Sequence, residues 1–191
     1  MFDCQEHPYA VVSEIITANE ANRIRFSLAR YARDPVTRAY RRKVTWVGGT
    51  SFAIEAAELL SGLDQGEELS LQSATIVNGR LMHIPMIDFE HPDLQTCLNR
   101  CVKVLGIDEL SRYIFFRSGR SYHAYQARLI SSNCWYAQMG KLLLVNARGG
   151  EPVIDARWIG HRLASGAAAL RWTCNSGRYL TEPHRVDVCL T

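Results

Sequence analysis

The run Met86-Ile87-Asp88-Phe89-Glu90 closes an apolar stretch with two carboxylates one residue apart. Side chains alternate across an extended strand, so Asp88 and Glu90 share one face while Ile87 and Phe89 share the other, the core side. Two carboxylates so close resist joint ionisation unless a cation neutralises them, and hard oxygen ligands suit Mg²⁺ or Mn²⁺. Further on stands Ser118-Gly119-Arg120-Ser121-Tyr122-His123. Its glycine turn exposes backbone N–H groups, the Ser118 hydroxyl can donate, Arg120 offers a fork of donors and His123 re-enters on a strand, a set able to clamp phosphate oxygens. Each motif also has an ordinary reading: a solvated acidic pair at a strand end, and a polar hairpin tip with a half-buried histidine.

The periodicity of the chain says what must position these groups. Leu71–Val77 and Leu81–Phe89 are predicted as two strands joined by an Asn78-Gly79 hairpin turn, which delivers Asp88 and Glu90 to a strand end. A second hairpin, Tyr113–Phe116 and Tyr122–Ile130, carries Ser118-Gly119 in its turn. Between the hairpins Leu94, Cys97, Leu98, Cys101, Val102 and Leu105 form one helical stripe that Gly106 ends. Upstream, Ile24, Leu28 and Tyr31 predict a surface helix over Asn19–Ala32. Pro35 breaks it, a strand over Val44–Val47 ends at Gly48-Gly49, and a helix through Phe52, Ala56, Leu59 and Leu63 starts with Ser51 as its cap. Asn133–Val145 reads equally as helix or strand, Asp155–Ala164 as helix and Ala169–Thr173 as extended.

At 191 residues the chain suits one domain or two closely fused lobes. Its 47% hydrophobic and 21% charged content sits near the average for globular proteins, which argues against disorder or a fibre. The apolar runs are far shorter than a membrane span, and Asp3 and Glu6 stand where a secretory leader would be basic, so a cytoplasmic protein with no membrane partner is expected. Six cysteines, irregularly placed, point to reduced thiols rather than a disulfide framework. The net charge of +3 is compatible with a nucleic-acid partner without requiring one.

In order along the chain, Asp-x-Glu at the end of an apolar strand, a Ser-Gly-x-x-x-His hairpin, and Ile154-Asp155 resemble the three motifs of the archaeo-eukaryotic primase (primase-polymerase) superfamily. The intervals suit it, 30 positions from Asp88 to Ser118 and 32 from His123 to Asp155. Leu170-Arg171-Trp172-Thr173-x-Asn175 is similar to the arginine-bearing strand and turn that follows the third motif in many members. The resemblance covers Leu71 to Asn175. It implies an α+β, two-lobed domain: a catalytic lobe over 71–191, built on an antiparallel sheet like that of an RNA-recognition motif, and a smaller N-terminal lobe over 1–70. It further implies that Asp88, Glu90 and Asp155 bind two catalytic Mg²⁺ or Mn²⁺ ions, and that Ser118, Arg120 and His123, with Arg171, hold the triphosphate of an incoming nucleotide. The implied partners are nucleoside triphosphates, a single-stranded or primed template, and a helicase or accessory subunit. Where the family usually has a small residue this chain has Ser121; Asp187, after Val186, rivals Asp155 as third carboxylate, and Asp155 has the plainer role of capping the helix from Ala156.

Three functions compete: templated synthesis of a primer or strand, another metal-dependent phosphoryl transfer such as a nuclease, and a non-catalytic nucleotide- or nucleic-acid-binding module. The triphosphate clamp favours synthesis, and the intact carboxylates argue against the third. Arg38, Arg41, Arg42 and Lys43, with Tyr40 and Trp46, could track a phosphate backbone or could be a solvated face. Cys97 and Cys101 beside His91 invite a zinc reading, but both lie on an apolar helical stripe and are expected as buried thiols. His161 and Arg162 could face the site or water.

Overall fold

The computed structural model describes residues 6–33, 40–146 and 148–190. In chain order the elements are α1 (Tyr9–Ala18), a 3-10 turn (Ala21–Arg23), β1 (Ile24–Arg33), β2 (Tyr40–Gly48), α2 (Phe52–Ser61), β3 (Glu68–Val77), β4 (Arg80–His83), β5 (Met86–Asp88), α3 (Leu94–Leu105), α4 (Ile107–Leu110), β6 (Tyr113–Arg117), β7 (Tyr122–Gln126), β8 (Ile130–Ser131), α5 (Ser132–Val145), α6 (Ala156–Ser165), β9 (Ala169–Arg171) and β10 (His184–Val186). The fold is α+β, with antiparallel pairing in both sheets. Among the described residues no helix is long and apolar enough to cross a membrane.

One sheet runs β2-β1-β3-β4-β8, and β9 joins it by sharing the far edge of β3 with β4. Ser70 thus stands opposite both Ala29 of β1 and Arg171 of β9. The other sheet runs β10-β6-β7-β5 and places Asp88 directly across from His123. The hairpin turn between β3 and β4 has Asn78 at φ 50° and Gly79 at φ 75°. Two consecutive positive φ values are what the Asn-Gly pair tolerates and a two-residue hairpin requires.

Several local expectations are corrected. Residues 24–33 are a strand, not the predicted surface helix over Asn19–Ala32. β1 is an inner strand, and Phe26, Ser27, Leu28 and Ala29 are all buried. A strand covered on both faces loses its period-two signature, and the spacing of Ile24, Leu28 and Tyr31 then imitates a helical stripe. The predicted strand Leu81–Phe89 is broken at Ile84-Pro85, where the chain leaves the first sheet for the second; proline has no N–H to continue a ladder. The predicted strand Tyr122–Ile130 likewise stops at Gln126, and β8 belongs to the first sheet. Ser51 makes no cap hydrogen bond to its helix; its hydroxyl meets the Gly48 carbonyl and the Glu55 carboxylate instead.

Residues 132–145 resolve as helix because the Ser131 side chain caps them, accepting from Cys134 N–H at 3.4 Å. α3 forms as expected: Asp93 accepts from Thr96 N–H at 3.0 Å, and Gly106 at φ 85° ends it. Its Cys97 and Cys101 are fully buried free thiols, and burial pushes both up to about 12. Trp172, after β9, packs its ring against Phe52 of α2 and against the buried His7 just before α1.

Candidate active site

A cleft of about 1170 Å³ opens between the two sheets. The motif residues reach it from separate elements. Asp88 ends β5 and Glu90 follows two residues on; both line the cleft, as does the buried Phe89 between them. Phe89 and Ile154 form an isolated antiparallel bridge, flanked by Glu90 N–H donating to Val153 O at 3.0 Å and Asp155 N–H donating to Asp88 O at 3.2 Å. These bonds hold the Asp-x-Glu segment and Ile154-Asp155 side by side, so Asp88, Glu90 and Asp155 all line the cleft. The exposed Asp187, beyond β10, does not line it.

The β6–β7 turn forms the adjoining wall. Ser118 N–H donates to Ser121 O at 3.0 Å, and Gly119 takes φ 103°, a conformation that suits glycine. Ser118 and His123 are buried while Arg120 is exposed, and all three line the cleft. Arg171 lines it too, but its guanidinium is committed: Nη2 donates to Ser118 O at 2.9 Å, and Nη1 donates to Thr181 O at 3.2 Å and to Thr173 O. Its first effect is therefore to fix the Ser118 turn.

Of the basic run, Arg41, Arg42 and Lys43 lie exposed on the edge strand β2, and only Arg42 among them lines the cleft. Arg38 lies outside the described residues. His161 and Arg162 of α6 both line the cleft. Arg162 was legible only as an alternative, although it follows Asp155 by seven residues, two helical turns along the same face.

The electrostatics are those of acids crowded in a poorly hydrated place. Burial, and then the neighbouring Asp155 with a further contribution from Glu90, pushes the Asp88 carboxyl up to about 7, against the opposing pull of Arg162 and Arg171. Burial, reinforced by Arg171, holds the His123 imidazole down at about 3, so it is neutral in ordinary buffers. Its Nε2 lies 3.6 Å from Asp88 Oδ1, too far for a good hydrogen bond, and its buried Nδ1 has no partner among the described residues. Burial and the facing Arg42 lower Arg162, while Asp88 and Asp155 hold it up.

The donor set fits a hard divalent cation, because a positive charge among these oxygens offsets the burial and the repulsion that together raise Asp88. Among the described residues no three His, Cys, Asp or Glu side chains already stand closed around one point. One reason is visible at Asp155, whose Oδ1 accepts from Trp158 N–H at 2.9 Å and caps α6. Capping and facing the cleft are both true of this side chain.

Sequence reasoning missed the far wall of the cleft, Arg178, Tyr179 and Leu180, which lie in a loop without periodicity. It also missed Glu68, buried in β3, whose carboxylate accepts from Asn175 N–H at 3.0 Å, Ser176 N–H at 2.8 Å and the Ser176 hydroxyl at 2.6 Å, and so anchors that loop.

The family model described as archaeo-eukaryotic primase 1D-like matches residues 51–184, more than half of the chain. No curated protein and no solved structure matches it.

Proposed function

Because the chain belongs to the archaeo-eukaryotic primase 1D-like family and is thus a primase/polymerase-type domain, we propose that it is a metal-dependent nucleotidyltransferase that adds nucleoside triphosphates to a 3′-hydroxyl on a nucleic-acid template. The observation that carries this reading is convergence: three carboxylates from two chain segments and the Ser118–His123 glycine turn from a third line one cleft. On this reading the sheet β10-β6-β7-β5 is the counterpart of an RNA-recognition-motif sheet.

Asp88, Glu90 and Asp155 would hold Mg²⁺ or Mn²⁺, which when bound supplies Lewis-acid stabilisation of the attacking hydroxyl and the pyrophosphate leaving group. The protein's own groups do the rest. The Ser118 hydroxyl, N–H groups of the turn and the Arg120 fork take phosphate oxygens. Neutral His123 can donate one hydrogen bond without adding charge, which leaves charge neutralisation to Arg120 and to Arg162. Arg171 keeps the turn in shape. Arg41, Arg42 and Lys43 on the edge strand supply cations for the template backbone, whose binding weakens with salt.

The test is incorporation of labelled nucleotides on a single-stranded or primed template with Mg²⁺ or Mn²⁺, comparing the wild type with Asp88→Ala and His123→Ala. Metal-dependent product that Asp88→Ala abolishes and His123→Ala cuts by roughly 100-fold or more is expected. Nucleotide binding without product would leave a binding module, and neither product nor binding would end the reading.

A further inference from the structure

The loop between β9 and β10 carries two large, partly apolar side chains into the cleft. Tyr179 is 37% exposed and Leu180 is 73% exposed, and both belong to the lining. An isolated exposed leucine needs no explanation, but an adjacent tyrosine and leucine on a concave wall beside the Ser118–His123 turn invite a ligand.

This wall is built rather than loose. At its foot Glu68 receives the Asn175 and Ser176 N–H groups, and Asn175 Nδ2 donates to Asp64 O at 2.9 Å and Glu67 O at 3.1 Å. At its top the Arg171 guanidinium lies 3.9 Å from the Tyr179 ring centroid, a cation–π contact, and bonds Thr181 O. The same guanidinium bonds Ser118 O, so one side chain sets the distance between the loop and the phosphate grip. The two elements lie close: a side chain begun at Gly119 would meet Leu180 N and Cβ at 3.8 and 3.9 Å.

We infer that Tyr179 and Leu180 form the surface on which the nucleobase of a bound nucleoside triphosphate rests, with its phosphates on the Ser118–His123 turn. The inference rests on the nucleotide reading above and adds which residues hold the base. Every base has a π-face, so a ring and an aliphatic side chain accept all four, as templated synthesis requires; the larger purines gain more.

The probes are ATP and inorganic tripolyphosphate, titrated calorimetrically in Mg²⁺ buffer. The wild type should bind ATP more tightly than tripolyphosphate. In the Tyr179→Ala/Leu180→Ala double variant ATP should weaken by about tenfold while tripolyphosphate stays within about twofold, which also shows that the grip is still folded. Tyr179→Phe keeps the ring and should keep most of the ATP affinity. ATP unaffected by the double variant, both ligands weakened in parallel, or no preference for ATP in the wild type would each overturn the base-binding surface. Failure of the wild type to bind either ligand would remove the nucleotide reading itself, and the surface with it.

Discussion

Asp88→Asn should make the protein more stable above neutral pH and inactive at the same time. Asp88 rises from an ordinary 3.8 to about 7 because burial and Asp155 penalise its charge. Between these values the folded chain keeps a proton that the unfolded chain has released, so stability falls as pH rises through the window. The penalty is absent below pH 4 and complete above pH 7. A rise of this size corresponds to about 4 kcal/mol at ~1.4 kcal/mol per pH unit. That is an upper bound, since about a quarter of the side chain (23%) is open to solvent and the neighbouring charges can adjust. If a third to a half survives, the isosteric amide gains about 1–2 kcal/mol at pH 8, or roughly 2–8 °C in Tm for a chain of this length. The assay is thermal unfolding of wild type and variant at pH 5 and pH 8, with and without Mn²⁺. The variant's advantage should shrink at pH 5. Mn²⁺ at pH 8 should raise the Tm of the wild type and leave the variant nearly unmoved, because a ligand stabilises only the state that binds it. An advantage independent of pH, or a variant less stable at pH 8, would refute the claim that acid crowding strains this site.

Asp155 separates its two roles by substitution: Asp155→Ala should lose about 1 kcal/mol of stability with the α6 cap as well as nucleotide incorporation, whereas Asp155→Asn should keep the cap and still lose incorporation. Unfolding curves and product yield read the two effects apart, and an active Asp155→Asn would show a capping residue only. Arg171→Lys should raise the KM for nucleotide more than it lowers kcat and cost at least about 2 kcal/mol, because an ammonium cannot reach Ser118, Thr173 and Thr181 carbonyls from one planar fork. An unchanged KM and unchanged unfolding midpoint would show that the fork is dispensable.

What could be read from the sequence was whatever short-range rules decide. Asn78-Gly79, the α3 stripe with its Asp93 and Gly106 ends, and the alternation that puts Asp88 and Glu90 on one side all depend on neighbours within a few residues. β1 was misread because consecutive residues on both of its faces are buried, so its own pattern carries no alternation. The break at Pro85 was visible as a residue, but that it sends the chain to a second sheet was not. In the cleft, the carboxylates and the turn announced themselves by type and spacing. Arg171 was expected at the site and lines the cleft, yet its commitment to three carbonyls depends on a loop ten residues away and on Ser118, 53 residues upstream. Glu68 and Tyr179 carried no local signal at all, since an acid inside a strand and an aromatic in a loop acquire meaning only when distant segments close over them.

Asp155 shows how the fold and the chemistry constrain one another. As N-cap it sits where the backbone N–H groups of α6 are unpaired and the helix end is partially positive, a place that favours a carboxylate. Its N–H is fixed to the Asp88 carbonyl, so the helix cannot move away from β5 without breaking that tie. α6 therefore delivers an acid at its first turn and, two turns on, the Arg162 cation to the same cleft. With Asp88 protonated the arrangement is tolerable; once Asp88 ionises, its charge meets burial and the neighbouring Asp155 and Glu90, against the pull of Arg162 and Arg171. On the proposed metal-dependent reading a divalent cation bound here would offset that charge and displace the Asp88 proton. Metal affinity should accordingly rise as pH increases toward 7 and level off above it, since the ion must displace that proton below the Asp88 value and no longer needs to above it. Mn²⁺ titrations at pH 5.5, 7 and 8.5 measure this directly, and an affinity flat across that range would show that Asp88 is not among the ligands.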